Sequence, residues 1–174
     1  MIQNYKQLLK DIDTFIFDYD GVFTDGNVIL KEDDEPFRTI NVKDAYALQL
    51  AARHNYNIAI ITGGKSAAIE KLFNRLGLED LFFRSANKKE VLEAYLKSKN
   101  ISSNSVVYMG DDIPDYKAMQ LIALPCCPAD AAQEVKEISL YISEFKGGEG
   151  CVRDIIQQVL KIQNNWFNDN AFTW

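Results

Sequence analysis

Short apolar runs alternate with amphipathic stretches along the chain. The runs within residues 15–17, 57–63 and 105–112 lack polar alternation, which is typical of strands buried on both faces of a parallel sheet. The stretches between them carry apolar residues at helical spacing, and we predict helices over 44–55, 66–76 and 88–98. Strands and helices that alternate connect through right-handed crossovers, so the pattern predicts an α/β fold: a Rossmann-like three-layer sandwich with a mostly parallel sheet.

Weaker signals continue the same alternation toward the end of the chain. We predict further strands at 81–83, 123–124 and 140–142, and further helices at 116–122, 131–138 and about 152–162. The sequence contains no internal repeat, low-complexity tract or linker, so residues 1–174 are predicted to form a single domain.

Three segments stand outside the alternation. Residues 2–12 suit a short amphipathic helix or an arm that leads into the first strand. Two β-prone stretches flank a polar turn containing Pro36, which predicts a projecting β-hairpin over about 27–42. The C-terminal tail, about 164–174, is polar with interspersed aromatics, and we expect it to be frayed or packed on a partner subunit.

Composition excludes several classes of protein. The net charge is −6 and no basic cluster exceeds Lys88-Lys89, so nucleic acid is not an expected partner. The first ten residues lack the apolar core of a leader, and no run approaches the ~20 apolar residues of a membrane span. An odd count of three cysteines argues against a disulfide framework, and a single histidine argues against zinc, so we expect a cytoplasmic protein with reduced thiols.

Two carboxylates follow directly after the first predicted strand. Asp18 and Asp20 lie at its carboxyl end, and Gly21 allows the chain to turn away. In open α/β sheets the ligand crevice lies just outside these strand ends. Two acids there repel each other unless a cation lies between them, and Mg²⁺ is the usual hard, oxygen-seeking ion. An acidic turn without function is the plain alternative, whereas an EF-hand is excluded because its later ligands and closing Glu are absent.

The stretch Asp18–Gly26, with the pattern DxDGVxTDG, resembles motif I of the haloacid dehalogenase superfamily of phosphotransferases. This resemblance implies that Asp18 is the nucleophile, which forms an aspartyl-phosphate, and that Asp20 is the general acid and base. It also implies a capless core, because the hairpin occupies the place of a cap domain and is far too short to be one.

Three later features match the remaining motifs of that superfamily in order. Thr62 and Gly63 would hold phosphoryl oxygens, and Lys88 would neutralise charge on the transferred group, although Lys89 is an equal candidate from the residues alone. Gly110-Asp111-Asp112 would supply metal ligands, Asp111 directly and Asp112 through water. The resemblance therefore implies a Mg²⁺ site formed by Asp18, Asp20, Asp111 and Asp112.

A narrower resemblance rests on DGVFTDG, on Asn41-Val-Lys-Asp-Ala45 and on the glycine-rich run that ends at Arg153. These resemble 3-deoxy-D-manno-octulosonate 8-phosphate (KDO 8-phosphate) phosphatases of lipopolysaccharide biosynthesis, which are capless homotetramers assembled through their hairpins. The implied substrate is a small phosphorylated sugar acid. The implied substrate-binding residues are Gly63, Asn41, Lys43, Asp44, Lys65 and Arg153, with Arg153 or its loop reaching a neighbouring subunit.

Departures from that family keep alternatives open. Gly64, Gln49 and Leu72 stand where its members often carry arginine, which leaves the preferred sugar acid undecided. A phosphatase for 9-phosphates of sialic-type nine-carbon acids is the nearest alternative. A receiver-type phosphoacceptor domain also combines acids, Thr and Lys, but its acceptor Asp follows the third strand rather than the first. An inactive phosphatase-like module is a third possibility, against which the full set of motif residues argues.

Overall fold

A single parallel sheet organises the molecule. The structure, a computed structural model, describes residues 4–30, 32 and 36–173. Six strands lie in the order β3-β2-β1-β4-β5-β6, and every neighbouring pair is parallel. The strands are β1 (Thr14–Phe17), β2 (Asn57–Ile61), β3 (Asp80–Phe82), β4 (Val106–Met109), β5 (Leu124–Cys127) and β6 (Tyr141–Ile142). The strand order reverses beside β1, and this order confirms the predicted Rossmann-like topology.

Six helices cover the two faces of the sheet. They are α1 (Val42–Arg53), α2 (Ala67–Arg75), α3 (Lys88–Lys99), α4 (Ile113–Met119), α5 (Gln133–Ile138) and α6 (Cys151–Ile162). Buried side chains of α1, α2 and α6 share one apolar cluster, and those of α3, α4 and α5 share the other. The predicted three-layer sandwich is therefore confirmed.

Alternation along β1 explains why its run is apolar throughout. Phe15 and Phe17 face the cluster under α1 and α6, whereas Ile16 faces the cluster under α3 and α4. All three side chains are fully buried. A strand that is covered on both faces has no polar side, which is the signal that the sequence carried.

Helix starts account for most differences between predicted and observed boundaries. Helix α1 begins at Val42 rather than residue 44, because the Asn41 side chain accepts a hydrogen bond from the Lys43 N–H and caps it. Helix α4 begins at Ile113, three residues before its predicted start, with Asp112 as its N-cap. The predicted N-terminal helix is two short 3₁₀ turns, Tyr5–Gln7 and Leu9–Asp11.

The described residues show only part of the predicted hairpin. Ile29 and Phe37 form one antiparallel pair, with both N–H···O distances at 3.1 Å. Residues 31 and 33–35 of the predicted turn lie outside the described residues. The hairpin over 27–42 therefore stays a prediction beyond this one pair.

The C-terminal segment packs on its own chain. The Tyr46 hydroxyl donates to the Ala171 carbonyl, and an Arg53 Nη1 donates to the Thr173 carbonyl at 2.8 Å. Trp166 packs edge-on against Tyr46, with ring centroids 6.4 Å apart. The prediction that the tail is frayed is wrong for residues 164–173, since helix α1 of the same chain supplies partners for it. Packing of the tail on a partner subunit stays a prediction, and Trp174 lies outside the described residues. None of the helices within residues 4–30, 32 and 36–173 is long and apolar enough to cross a membrane.

A buried carboxylate links α1 to α6. Asp44 is fully buried, and its Oδ1 accepts a hydrogen bond of 2.6 Å from the backbone N–H of Arg153 in the first turn of α6. Its Oδ2 has no hydrogen-bond partner among the described residues. Burial raises the pKa of Asp44 to about 6 from its ordinary 3.8, although the Arg153 N–H and charge oppose the rise.

The raised pKa of Asp44 makes the free energy of unfolding depend on pH. Between pH 4 and 6 the folded state keeps a proton that the unfolded state has released, so this carboxyl destabilises the fold increasingly as pH rises. Two pKa units correspond to at most about 3 kcal/mol. We expect Asp44→Asn, which keeps an oxygen acceptor, to gain stability relative to the unchanged protein between pH 4 and 7 in urea unfolding. A stability difference that does not vary with pH would contradict this assignment, because the other carboxyls titrate equally in both proteins.

Candidate active site

The carboxyl ends of β1, β2 and β4 surround an open cavity of about 460 Å³. The starts of α3 and α4 form its remaining walls. Every predicted catalytic and metal-binding residue lines it: Asp18, Asp20, Thr62, Lys88, Asp111 and Asp112. The topology brings these six together because strands that are adjacent and parallel end at the same edge of the sheet.

The Lys88 ammonium lies at the centre of the site. Its Nζ lies 2.8 Å from Asp18 Oδ2 and 2.8 Å from Asp115 Oδ1, and only 6% of its side chain is exposed. Lys89, the equal candidate from sequence, pairs instead with Glu93 one helical turn along α3. The geometry therefore selects Lys88.

Asp115 is a site residue that the sequence analysis did not assign. It lies in the first turn of α4 and is fully buried. The same Oδ1 that accepts from Lys88 also accepts from the hydroxyl of Tyr108 in β4, at 2.8 Å. A usable signal was its place four residues after Asp111, because an acid in the first turn of that helix points back toward the strand end.

Two glycines permit the close approach of the acids. A Cβ on Gly21 would lie 2.1 Å from Asp111 Oδ2, and one on Gly110 would lie 2.4 Å from the Asp115 Cβ. Gly21 also has a φ of +85°, in the left-handed region that favours glycine. Larger residues at these two positions would push the carboxylates apart.

The acids of the site exceed its cations. One oxygen from each of Asp18, Asp111 and Asp115 fits within a 4.8 Å cluster, and Lys88 is the one ammonium that touches it among the described residues. Burial, followed by the Asp115 charge, raises the pKa of Asp18 and of Asp111, while Lys88 opposes both rises. Burial alone would lower the pKa of Lys88, but Asp115 and Asp18 outweigh it and raise that pKa.

This donor set fits a divalent cation. Three clustered carboxylates are hard oxygen ligands of the kind that Mg²⁺ prefers. Asp115 Oδ2 is buried without a hydrogen-bond partner among the described residues, which leaves an oxygen available in the same cluster. The side chain of Asp112 caps α4 instead, accepting from the Ile113 N–H at 2.8 Å. The side chain of Asp20 is paired with Arg38, with Nε to Oδ1 at 2.6 Å.

Thr62 and Gly63 end β2 at the opposite wall of the cavity. The Thr62 hydroxyl is buried and accepts from the Gly64 N–H at 3.2 Å. A Cβ on Gly63 would meet nothing within 4 Å, so the backbone here faces open space. The Thr62 hydroxyl keeps its proton for a further hydrogen bond, and both residues line the same cavity as Asp18 and Lys88.

The other predicted substrate-binding residues lie outside the lining of this cavity: Asn41, Lys43, Asp44, Lys65 and Arg153. Asn41 caps α1, and Asp44 is buried against the start of α6. The Arg153 guanidinium stacks on Trp166 of the same chain, 4.9 Å from the ring centroid. Lys43 and Lys65 are exposed. Tertiary packing thus gives Asp44 and Arg153 contacts that their sequence motif did not indicate, whereas the contact of Asn41 is a local helix cap.

The glycine-rich run before α6 packs on the loop that follows β1 in the same chain. The Gly148 N–H donates to the Val22 carbonyl at 3.0 Å, and a Cβ on Gly147 would lie 2.1 Å from the Gly21 carbonyl oxygen. The close backbone approach expected of these glycines is therefore present within one subunit. A contact of this segment with a neighbouring subunit stays a prediction.

Comparisons with known proteins point to the same superfamily as the sequence motifs. Residues 79–155 match the family model of haloacid dehalogenase-like hydrolases. The chain is 31% identical over 154 residues to the 3-deoxy-D-manno-octulosonate 8-phosphate phosphatase of Salmonella typhi, covering 88% of this chain and 82% of that protein.

Solved structures show the same similarity in three dimensions. The phosphatase of that name from Moraxella catarrhalis, in complex with a magnesium ion, a phosphate ion and KDO, superposes with a TM-score of 0.90 at 29% identity, covering 95% of each chain. The one from Yersinia pestis has a TM-score of 0.90 at 28% identity and covers 94% of this chain and 88% of its own.

Gly21→Ala tests the cation site. The added methyl would force Asp111 Oδ2 away from the other carboxylates, so we expect Mg²⁺ affinity, measured by titration calorimetry, to fall by roughly tenfold or more. Gly26→Ala is the matched control, since Gly26 has a similar φ of +76° but its Cβ would meet nothing closer than 3.8 Å. Both variants carry backbone strain of about 1–2 kcal/mol. Equal Mg²⁺ affinities in the two variants would show that the approach of Asp111 does not form the site.

Proposed function

The chain belongs to the family of 3-deoxy-D-manno-octulosonate 8-phosphate phosphatases, and we propose that it hydrolyses KDO 8-phosphate to the free sugar acid and phosphate. The observation that carries the proposal is the buried arrangement of Asp18, Lys88 and Asp115 beside Asp111 at the strand ends. A carboxylate nucleophile, an ammonium and an acidic cation site together suffice for phosphoryl transfer, which depends mainly on positioning and charge stabilisation. The enzyme is thus a phosphoric monoester hydrolase with Mg²⁺ as its cofactor.

The proposed reaction has two steps. Asp18 attacks phosphorus and forms an aspartyl-phosphate, while Asp20 gives its proton to the oxygen of the departing sugar alcohol. Asp20 then takes a proton from a water molecule, which attacks the aspartyl-phosphate and releases phosphate. Lys88 and the Thr62 hydroxyl would contact the phosphoryl oxygens during both displacements, since both groups line the cavity beside Asp18.

The carboxylates of Asp18, Asp111 and Asp115, with the backbone carbonyl of Asp20, would hold Mg²⁺. The ion would neutralise charge on the transferred group and on the clustered acids. Asp112 would act through water, as the sequence resemblance implies.

We further propose a cytoplasmic role in lipopolysaccharide biosynthesis. The three cysteines are buried and free, which suits a reducing compartment. A phosphorylated eight-carbon sugar acid is an intermediate on the way to that glycolipid, so this enzyme would produce the free sugar acid for later steps.

A homotetramer assembled through the hairpin segment is the proposed assembly. Five of its described residues are large, apolar and exposed: Val28 at 41%, Ile29 at 65%, Leu30 at 78%, Phe37 at 56% and Val42 at 67%. A contiguous apolar patch of this kind is typical of an interaction surface. The open cavity, with no cap domain above it, would then be covered by a neighbouring subunit.

Substrate hydrolysis is the direct test of the proposed function. We expect Mg²⁺-dependent release of phosphate from KDO 8-phosphate, with a kcat/KM well above that for a sialic-type 9-phosphate. Chelation should abolish the activity, and added Mg²⁺ should restore it. Asp18→Asn should eliminate multiple turnovers, because it replaces the attacking oxygen and one metal ligand.

Controls make that result specific. The thermal unfolding transition of Asp18→Asn should stay cooperative and show a folded variant, since Asp115 still pairs with Lys88. Full activity in excess chelator would overturn the mechanism, and a preference for the 9-phosphate would overturn the substrate.

Leu30→Glu tests the assembly. A charge placed in the exposed patch cannot be desolvated without cost, so we expect sedimentation velocity to show dissociation toward smaller species. Leu140→Glu places the same charge at an exposed leucine outside the hairpin segment and should leave the assembly intact. A monomeric, fully active unchanged protein would refute the tetramer while leaving the phosphatase chemistry untouched.

A further inference from the structure

Arg38 makes a two-point contact with the proposed general acid. Its Nε donates to Asp20 Oδ1 at 2.6 Å, and its Nη2 donates to Asp20 Oδ2 at 3.2 Å. Parallel hydrogen bonds between a planar guanidinium and a carboxylate fix the plane of the carboxylate as well as its position. Among the described residues, Arg38 donates both of the hydrogen bonds that the Asp20 side chain accepts.

The contact lies at the rim of the cavity rather than on the outer surface. Only 14% of the Arg38 side chain is exposed, although it belongs to a segment in which Phe37 and Thr39 are exposed. Gly64 borders the pair: a Cβ there would lie 3.4 Å from Asp20 Oδ2 and 3.7 Å from Arg38 Nη2. Both distances are ordinary van der Waals contacts, so position 64 lies directly beside the ion pair.

We propose that Arg38 is a positioning residue, which holds the Asp20 carboxylate in the orientation required for proton transfer to the leaving alcohol and from the attacking water. A carboxylate has about four lone-pair sites, so the fork uses one on each oxygen and leaves one on each for the reacting groups. The inference rests on the proposed phosphatase activity and assigns a role that the sequence motifs do not indicate.

A misoriented Asp20 carboxylate would slow the step in which the leaving group is protonated. Asp20 otherwise sits on a turn after β1 with its side chain 36% exposed, so loss of the fork would leave it free to rotate. A general acid contributes roughly 10²–10⁴ to the rate of a step that expels a poor leaving group. Because kcat/KM covers only the steps up to the aspartyl-phosphate, its loss would fall on an alkyl sugar phosphate and largely spare an aryl phosphate, whose phenolate leaves without a proton.

The same contact connects the hairpin segment to the chemistry. Arg38 follows directly after Phe37, which pairs with Ile29 across the predicted hairpin. Any contact that fixes this segment also fixes the arginine and, through it, Asp20. Direct binding of substrate by Arg38 is the competing role, and it differs in being independent of Asp20.

A double-mutant cycle separates these roles. We expect Arg38→Ala to lower kcat/KM for KDO 8-phosphate by roughly 10- to 100-fold and that for p-nitrophenyl phosphate by less than about threefold. Arg38→Lys keeps the charge without the fork, so its loss should approach that of Arg38→Ala. In an Asp20→Ala background, Arg38→Ala should change kcat/KM by less than about twofold, because its effect passes through the missing carboxylate.

An arginine distant from the cavity provides the control variant. Arg75→Ala removes an exposed arginine at the far end of α2 and should leave both substrates unaffected, and urea midpoints will show whether each variant is folded. The positioning role is wrong if the losses in kcat/KM add in the double variant. It is also wrong if Arg38→Ala lowers kcat/KM equally for both substrates. No turnover of the sugar phosphate by the unchanged protein would overturn the proposed function and this inference together, whereas turnover with additive losses overturns this inference alone.

Discussion

The structure depends on one buried ammonium placed between carboxylates. Lys88 is held 2.8 Å from both Asp18, which follows β1, and Asp115, which lies in the first turn of α4. Removing such charges from water is costly, and the cost is offset only when the geometry is close and the hydrogen bonds are satisfied. The adjacent parallel strands β1 and β4 meet that requirement by ending side by side, with α3 directed at the same point.

The surrounding fold keeps these charges in place. Tyr108, fully buried in β4, donates to the same Asp115 oxygen that accepts from Lys88. On the other face of the sheet, the loop after β1 is held by aromatic packing, with Phe23 against Phe17 and Phe73 at centroid distances of 5.5 and 5.3 Å. Gly147 and Gly148 close over that loop from the start of α6. The loop after β1 is therefore held by apolar packing and by close backbone contacts with the glycines before α6.

The acidic cluster and Asp20 are held in place by different parts of the fold. The cluster of Asp18, Asp111 and Asp115 carries excess negative charge, which suits a divalent cation and a transferred phosphoryl group. Asp20 lies apart from that cluster and is paired with Arg38 from the hairpin segment. The proposed nucleophile thus lies directly after a strand of the sheet, whereas the orientation of the proposed general acid depends on a segment that reaches it from outside the core.

Local sequence determined the architecture, because burial on two faces removes polar residues from a strand and helical spacing survives in the amphipathic stretches. It therefore predicted the parallel sheet, the three layers, the strand-end positions of Asp18, Thr62 and Asp111, and the position of Lys88 at the start of a helix. Only the tertiary structure decided which side chains meet across long separations in sequence. Asp115 reaches Lys88 over 27 residues, Arg153 reaches Asp44 over 109, and the tail from residue 164 finds its partners on α1. No local pattern encodes such pairs, since each depends on where two separate elements lie once the whole sheet has formed.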